Sequence, residues 1–385
     1  ATICYCSLFF GMYLSSKSIS TESRFKIGTE KNSNLSRVIF FSSSIVSIVI
    51  ASLVVLKMAG ELNIFELLVK SIFNPGAMYY ENMSKTAESS VLTQLITLTS
   101  PLTICLIAFS GTIIRNKSWL YKITLMFVVL LNVFTFLLRG TNFGVFLFII
   151  VFIISVHMTF DGDKIKKKPI RYQTLIKNTF ICLIGFLFVS YFVSTMASRL
   201  GSNYIPDTLF YIYVDKNSLL FDIFPPSIAV ALLSAGMYFS QGYYGLSLSF
   251  NYMFTSTHGI GSGYFLLSKF NQYFRDDVFE STYQYKMDHL WDSRIQWHTA
   301  FTWLANDIGH LMVIPLMFIF GLFVSLVYQS AKNENSFLSI GLFSIQSVIL
   351  IFLPANNIMG NNGFVFMSFT TLSFLWLINN KFTLK

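Results

Sequence analysis

The sequence predicts an all-α protein, a polytopic transmembrane helix bundle with one large loop region outside the membrane. Apolar residues make up 54% of the 385 residues and charged residues only 12%, a composition typical of membrane proteins. Several runs of about 18 or more residues carry no charge, which is the length that a helix needs to cross about 30 Å of hydrocarbon. Lysine and arginine gather in short segments between these runs, as they do in cytoplasmic loops.

Nine apolar runs are predicted to cross the membrane. The first is short and residue 1 is Ala, so we expect a partial span and an incomplete N-terminus. The predicted spans lie at residues 1–15, 38–56, 95–114, 121–138, 143–160, 178–197, 311–328, 337–353 and 364–379. They divide the chain into N-terminal helices (residues 1–197), a large outer loop region (residues 198–308) and C-terminal helices (residues 309–385).

One further segment, residues 227–257, is predicted not to cross. Its apolar runs are only about 10 to 14 residues long, and the sequence SQGYYG interrupts them. Runs of that length are typical of re-entrant or interfacial segments.

The distribution of charge predicts the orientation. With nine spans, the loops on one side carry 17 of the 27 lysines and arginines. The ten on the other side are mostly spread over the long outer loop region, and loops of that length hardly influence orientation. The first side is therefore predicted to be cytoplasmic. A tenth span through residues 228–250 would move the basic residues of the last loops outside.

Composition and motifs also exclude several classes of function. The net charge of +9 reflects these basic loops, and no phosphate loop or RNA-binding motif is present, so we expect no nucleic-acid partner. Cys4, Cys6, Cys105 and Cys182 all lie in apolar runs, where they form neither a disulfide framework nor a metal-ligand set.

The stretch from His289 to Gly309 is the strongest candidate for chemistry. It holds three Trp, two His and an Arg directly before an apolar run. A helix here would place Trp291, Arg294, His298 and Thr302 on one face, and Trp303, Asp307 and His310 on another. The alternative is an interfacial anchor, in which the Trp rings lie at the depth of the lipid headgroups.

Four arginines are predicted to face outward: Arg139, Arg199, Arg275 and Arg294. The planar donors of a guanidinium match phosphate oxygens in pairs, so these side chains are candidates to bind the phosphates of a lipid. For Arg139, which stands in a tight turn, hydrogen bonding to helix-end carbonyls is the alternative.

Glycines and acidic residues of the outer region suggest no cofactor. Gly242, Gly245, Gly259, Gly261 and Gly263 indicate turns and close backbone approaches, but they form no nucleotide-binding pattern. The acidic group formed by Asp276, Asp277 and Glu280 has no metal-ligand spacing, so we expect no metal. The short loop PANNIMGNNG at residues 354–363 could bind sugar hydroxyls through its asparagines or simply form a tight turn.

Three segments together resemble a known family. QGYYGLSLSF, HGIGSGYF and WHTAFTWLANDIG, in a large loop before the last spans, are similar to segments of the O-antigen, capsule and exopolysaccharide repeat-unit polymerases (Wzy-type), over residues 140–330. The resemblance implies a glycosyltransferase of the C-type membrane class (GT-C-like) in the bacterial inner membrane, with its large loop periplasmic. It implies undecaprenyl-diphosphate-linked oligosaccharides as donor and acceptor, and no cofactor or metal. A chain-length regulator and a flippase of the same pathway are possible partners.

The resemblance matches particular residues without giving their roles: Tyr243, Tyr244, Gly245, Trp297, His298, Thr299, Trp303, Asn306 and Asp307. Chemistry suggests the roles. Arg294, Arg199, Arg275 and Arg139 would bind the diphosphate. His298 would be the general base near neutral pH, with Asp307 second, although Asp307 could equally be a helix N-cap. The sugar would be bound by Trp291, Trp297, Trp303, Tyr243, Tyr244 and Asn306.

Three other functions stay open. An O-antigen ligase has a comparable layout and a similar leaving group. A transporter or flippase for the lipid-linked sugar usually carries ionisable groups within its spans and often inverted repeats. The predicted spans contain almost no such groups, with His157 as the clearest exception, and the sequence has no evident repeat. A purely structural membrane protein would not need four outward arginines.

Overall fold

A computed structural model describes residues 1–23, 33–59, 63–78, 91–161, 179, 185–186, 189–195, 205–274, 278–293, 295–334 and 336–384. These residues are predominantly helical, which confirms the predicted all-α class. The helices in chain order are α1 (Thr2–Ser18), α2 (Ser33–Ala59), α3 (Ile64–Phe73), α4 (Val91–Ala108), α5 (Ser110–Asn116), α6 (Trp119–Leu138), α7 (Asn142–Asp161), α8 (Leu219–Ile223), α9 (Pro226–Ser249), α10 (Tyr264–Phe274), α11 (Tyr283–Lys286), α12 (Ala300–Glu334), α13 (Phe337–Phe352), α14 (Ile358–Asn361) and α15 (Gly363–Asn379).

Among the described residues, five helical segments are long and apolar enough to cross a membrane, one of which runs through α4 and α5. They run over Phe40–Met58, Gln94–Arg115, Trp119–Leu138, Asn142–Thr159 and Ala300–Glu334, and two shorter apolar helices cover Phe337–Phe352 and Gly363–Asn379. All seven overlap predicted spans, since a long uncharged run favours a helix of the length that crosses hydrocarbon. Ala300–Glu334 begins 11 residues before its predicted span at residues 311–328. The predicted span at residues 178–197 lies mostly outside the described residues. The total of nine spans stays a prediction.

Helices α1 and α12 pack closely side by side. A Cβ atom at Gly11 would lie 2.2 Å from the Phe318 carbonyl oxygen, and one at Gly321 would lie 2.0 Å from that of Leu8. Small residues let helices approach this closely in membranes. Contacts progress in the same direction along both helices, since Ser7 bonds the Ile314 carbonyl and Gln329 bonds the Ser15 carbonyl. The two helices are therefore parallel.

A short two-stranded sheet joins the segment that follows α1 to the segment that follows α15. Strand β1 (Ile19–Ser23) follows α1 directly, and the last strand (Asn380–Leu384) follows α15. The two strands pair antiparallel, with Ile19 opposite Leu384 and Ser23 opposite Asn380. Helices α1 and α15 consequently end on the same side of the bundle. A second small hairpin in the outer region pairs Thr208–Leu209 with Ile212–Tyr213.

The segment around SQGYYG differs from its expected form. Residues 226–249 form one continuous helix of 24 residues, α9, so Gly242 and Gly245 lie inside a helix and mark no turn. At these two positions α9 lies so close to the segment before α12 that a side chain would have no room, as described below. Helix α9 is not among the five helices long and apolar enough to cross.

Residues 289–293 and 295–299 are not helical, contrary to the expected arrangement of faces, and Arg294 between them lies outside the described residues. Helix α12 begins only at Ala300, and its backbone breaks at Gly309, where φ is 76°. Trp291 and His298 therefore do not share a helix face with Thr302. Only Trp303 and Asp307 keep the predicted spacing of one turn on α12.

Candidate functional site

The three sequence segments with polymerase resemblance meet at one end of the bundle. The Ala300 amide, at the start of α12, donates to the Leu353 carbonyl at the end of α13. Helix α9 lies against this junction, because a Cβ atom at Gly242 would be 2.7 Å from the Pro354 carbonyl oxygen and 2.9 Å from the Thr299 amide nitrogen. The site is thus assembled from helix ends that are distant in sequence.

His298 lies at the centre of this junction and is almost fully buried, at 1% exposure. A Cβ atom at Gly245 would lie 2.9 Å from its Nδ1 atom. The Trp303 ring packs edge-on, with 6.3 Å between ring centroids. The neighbouring Trp291 is fixed by a hydrogen bond of 3.1 Å from its Nε1 to the Trp297 carbonyl. His298 is therefore held by α9, by α12 and by the segment that directly precedes α12.

The imidazole of His298 is neutral and has no hydrogen bond to any residue that the structure describes. Burial disfavours the charged form and lowers the pKa of His298 to about 3. Neither ring nitrogen has a hydrogen-bond partner among the described residues, and the same holds for the side-chain amide of Gln241 and for Nε1 of Trp303. Gln241 precedes Gly245 by four residues, on the same face of α9. Buried polar atoms are normally satisfied, so these atoms indicate a place for a polar ligand group or water.

The aromatic residues of the site differ in their access to solvent. Trp291 and Trp303 are buried, at 4% and 2% exposure, so the structure does not place them where sugars could stack on their faces, as the sequence had suggested. Tyr244 is exposed beside Trp291, with ring centroids 5.0 Å apart. Tyr243 is also exposed, and Trp297 is half-buried. These last three are the available stacking surfaces.

Trp297 is part of a row of rings that reaches the outer hairpin. Its centroid lies 4.9 Å from that of Tyr238, which lies 5.8 Å from that of Phe210. Gln296 donates to the Phe210 carbonyl, which ties the hairpin to the site. Phe210 and Tyr211 both have positive φ, 51° and 63°, a conformation uncommon for bulky residues.

Asp307 holds a loop in place and is not an N-cap. Its Oδ1 atom accepts hydrogen bonds from the Thr257 hydroxyl at 2.5 Å, the Gly259 amide at 2.9 Å and the Gly261 amide at 3.0 Å. Asp307 also lies seven residues after the start of α12, too far into the helix to cap it. This oxygen is fully engaged in holding the segment HGIGSG, which weakens the expectation that Asp307 is a second base.

Asn306 is a structural residue in the same way. It is 1% exposed, and its amide donates to the Gly261 carbonyl and to Gln284 Oε1 while accepting from the Tyr283 amide. Its side-chain amide is thus used by the protein itself, and the expected sugar contact of Asn306 stays a prediction. Sequence alone offered no sign that its partners would come from two distant loops.

The asparagines of residues 354–363 also serve the protein itself. Asn357 donates to the Ser262 carbonyl, and Asn361 accepts from the Tyr264 amide. Asn362 caps α15 by accepting from the Val365 amide. Like Asp307, the loop therefore binds the HGIGSG segment. The choice between sugar binding and a simple turn stays a prediction.

The predicted phosphate-binding arginines are only partly described. Arg199, Arg275 and Arg294 lie outside the described residues. Arg139 ends α6 and is half-buried, with its guanidinium 5.9 Å from the Phe136 ring centroid, and burial lowers its pKa. Arg139 lies at the same end of the bundle as the candidate site. Phe143 of α7 follows it by four residues and packs on Phe352, the last residue of α13.

No group of three metal-ligating side chains occurs among the described residues, while Asp276 and Asp277 fall outside them. Cys4, Cys6 and Cys105 are free thiols, and Cys182 lies outside the described part of the chain.

Sequence reasoning missed two members of the site. Gln241 is the first residue of QGYYG, and its helical spacing from Gly245 would have pointed to it if α9 had been recognised as one helix. Tyr5 of α1 shares a hydrogen bond of 3.2 Å with the Tyr243 hydroxyl and packs edge-on against Phe301. No pattern in the sequence links these positions, which are 238 residues apart.

Comparison of the chain with protein-family models, with curated proteins and with solved structures found no match. The family resemblance rests on the three quoted segments.

Proposed function

We propose that this protein is a membrane glycosyltransferase that polymerises undecaprenyl-diphosphate-linked oligosaccharide repeat units at the outer face of the bacterial inner membrane. The observation that carries the proposal is the meeting of QGYYG, HGIGSG and WHTAFTWLANDIG at one end of the apolar helices. Gly245 of the first lies against His298 of the third, and Gly261 of the second is bound by Asp307 of the third. Segments with one function are expected to share one site.

The proposed orientation in the membrane is supported by the distribution of lysine and arginine and by the pairing of the strands that follow α1 and α15. Because α1 and α15 end on the same side, an even number of crossings separates these two ends. Eight predicted spans follow the first, and this even number supports the proposal that α9 does not cross. The basic loops then face the cytoplasm, and the site at the opposite end of the bundle faces the periplasm.

The proposed reaction is a displacement at the anomeric carbon of the donor. A hydroxyl of the acceptor sugar forms the new C–O bond, the bond to the diphosphate oxygen breaks, and the hydroxyl proton passes to a base. The leaving diphosphate needs cations, for which Arg294, Arg199, Arg275 and Arg139 are proposed. Preorganised charges of this kind stabilise the transition state by a few kcal/mol each.

His298 is the proposed base, on the condition that the donor is bound. With a pKa of about 3, the imidazole is neutral and only weakly basic in the empty site. A diphosphate nearby would favour the imidazolium and raise this pKa. Neither of its nitrogens has a partner among the described residues, so we propose that substrate binding opens this buried ring and lets it accept a hydrogen bond from the attacking hydroxyl. Exposed Tyr243 and Tyr244, with half-buried Trp297, would bind the sugars.

The test is the lipid-linked glycan profile of cells that lack the protein. Accumulation of single repeat units, with polymer restored by the wild-type gene, is expected. Normal polymer that is no longer transferred to its final acceptor would instead indicate a ligase. Repeat units trapped on the cytoplasmic face would indicate a flippase.

A further inference from the structure

A groove outside the His298 site opens on the surface of the outer region. Its volume is about 290 Å³, and it is lined by Gly259, Ile260, Leu266, Lys269, Phe270, Tyr273 and Phe274. This volume is near the lower end of the range of about 300 to 1,000 Å³ for small-molecule sites. The groove could therefore hold part of a long ligand.

One wall of the groove is an exposed apolar face of α10. Leu266, Phe270, Tyr273 and Phe274 are spaced by three or four residues or adjacent, so they share a face. Tyr273 and Phe274 are 70% and 69% exposed, and the rings of Phe270 and Phe274 stack with centroids 4.6 Å apart. A contiguous exposed apolar surface marks contact with a lipid or a partner.

The position of α10 favours a lipid. Phe265 packs on Phe366 in the first turn of α15, with centroids 5.7 Å apart, and a Cβ atom at Gly363 would be 2.5 Å from the Phe265 ring. Helix α10 thus starts at the end of an apolar helix, where the chain leaves the hydrocarbon. An amphipathic helix in this place lies along the membrane surface.

The charge in the groove matches a phosphate. Lys269 contributes to the lining, and its amine bonds the neutral Gln272 amide oxygen at 3.1 Å. This contact is a hydrogen bond to a neutral group, so it does not neutralise the positive charge of Lys269. A cation at the rim of an apolar groove is complementary to a lipid with an anionic head.

The groove is linked to the candidate site through one of its lining residues. Its Gly259 donates to Asp307, which lies about two turns into α12, and α12 begins two residues after His298. We propose that the groove holds the isoprene units nearest the diphosphate of the polyprenyl substrate, with Lys269 beside the phosphate. This inference rests on the proposed function, since bulk phospholipid would have no need of a groove attached to the site.

Photocrosslinking of the full chain tests the proposal. Tyr273 is replaced by p-benzoylphenylalanine, and the protein is reconstituted in phosphatidylcholine vesicles that contain undecaprenyl phosphate. Trp119 carries the same probe as a control, because it is 73% exposed at the start of α6, on the predicted cytoplasmic side. The ratio of undecaprenyl phosphate adduct to phosphatidylcholine adduct is expected to be higher at position 273 than at position 119.

A second variant tests the role of the cation. Lys269→Gln, at a partly exposed position, is expected to reduce the undecaprenyl phosphate adduct at position 273 about fivefold, as the loss of about 1 kcal/mol requires. Equal adduct ratios at both positions, or no lipid adduct at position 273, would overturn the proposal. The crosslink needs no sugar and no turnover, so its outcome is independent of whether cells lacking the protein stop making polymer.

Discussion

Gly245 of α9 lies so close to His298 that a Cβ atom there would be 2.9 Å from the imidazole Nδ1 and 3.0 Å from Nε1 of Trp291. Gly245→Ala must therefore displace these two buried rings or move α9. We expect this variant to lose polymer, measured as the ladder of glycan lengths at equal protein level. Gly236→Ala is the matched control, because it lies on the same helix with nothing within 4 Å. It should keep polymer and gain up to about 1 kcal/mol from helix propensity.

Acid should destabilise the protein through His298. The unfolded chain binds this proton near pH 6.5, whereas the folded protein binds it only near pH 3, so stability falls as the pH drops through this window. Between pH 7 and pH 5 the loss from this group is about 2 kcal/mol. Thermal unfolding in detergent measures it, and His298→Gln should remove that part of the pH dependence. An identical pH dependence in both proteins would contradict the buried, neutral imidazole.

Substitutions of Asp307 separate a structural from a chemical role. Asp307→Asn keeps an acceptor oxygen for Thr257, Gly259 and Gly261 and should retain polymer with a modest loss of stability. Asp307→Ala removes that acceptor and should cost at least about 1.5 to 3 kcal/mol, measured by denaturation. If Asp307→Asn abolishes polymer at unchanged stability, the carboxylate acts in the chemistry and the structural assignment fails.

Arg294 is expected to be essential for the proposed reaction. Removing a cation that stabilises the leaving diphosphate lowers the rate roughly 10²-fold to 10³-fold, so Arg294→Ala should abolish polymer while the protein still accumulates. Arg294→Lys should rescue poorly, since an ammonium cannot reproduce the paired donors. Normal polymer in both Arg294→Ala and His298→Ala cells would move the site to Arg199 and Arg275.

The proposed topology predicts that both flanks of α9 are outside. Single cysteines at Tyr213 and Glu280, both exposed, in a background without the native cysteines, should react with a membrane-impermeant maleimide from the periplasmic side. A cysteine at Trp119 should react only after the membrane is opened. Labelling of positions 213 and 280 from opposite sides would show that α9 crosses.

The amino-acid sequence by itself determined the class of the protein and the place of seven apolar helices. The length of an uncharged apolar run can be read locally from the sequence, and a helix in lipid satisfies its own backbone hydrogen bonds. Segments such as Phe40–Met58 and Trp119–Leu138 can therefore be recognised without knowing which helices pack against them. The three quoted segments also pointed to the end of the bundle where the candidate site lies.

Only the tertiary structure decided what the residues of these segments do. Asn306 and Asp307 have the chemistry of sugar and proton ligands, but partners 22 to 50 residues away engage them in holding a loop. From the sequence alone, His298 would be expected to have the ordinary pKa of an imidazole. Burial by α9 and two tryptophans lowers that pKa and keeps the ring neutral. Burial and hydrogen bonding depend on which distant segments meet, and helical spacing could not predict this for a stretch that does not form a helix before Ala300.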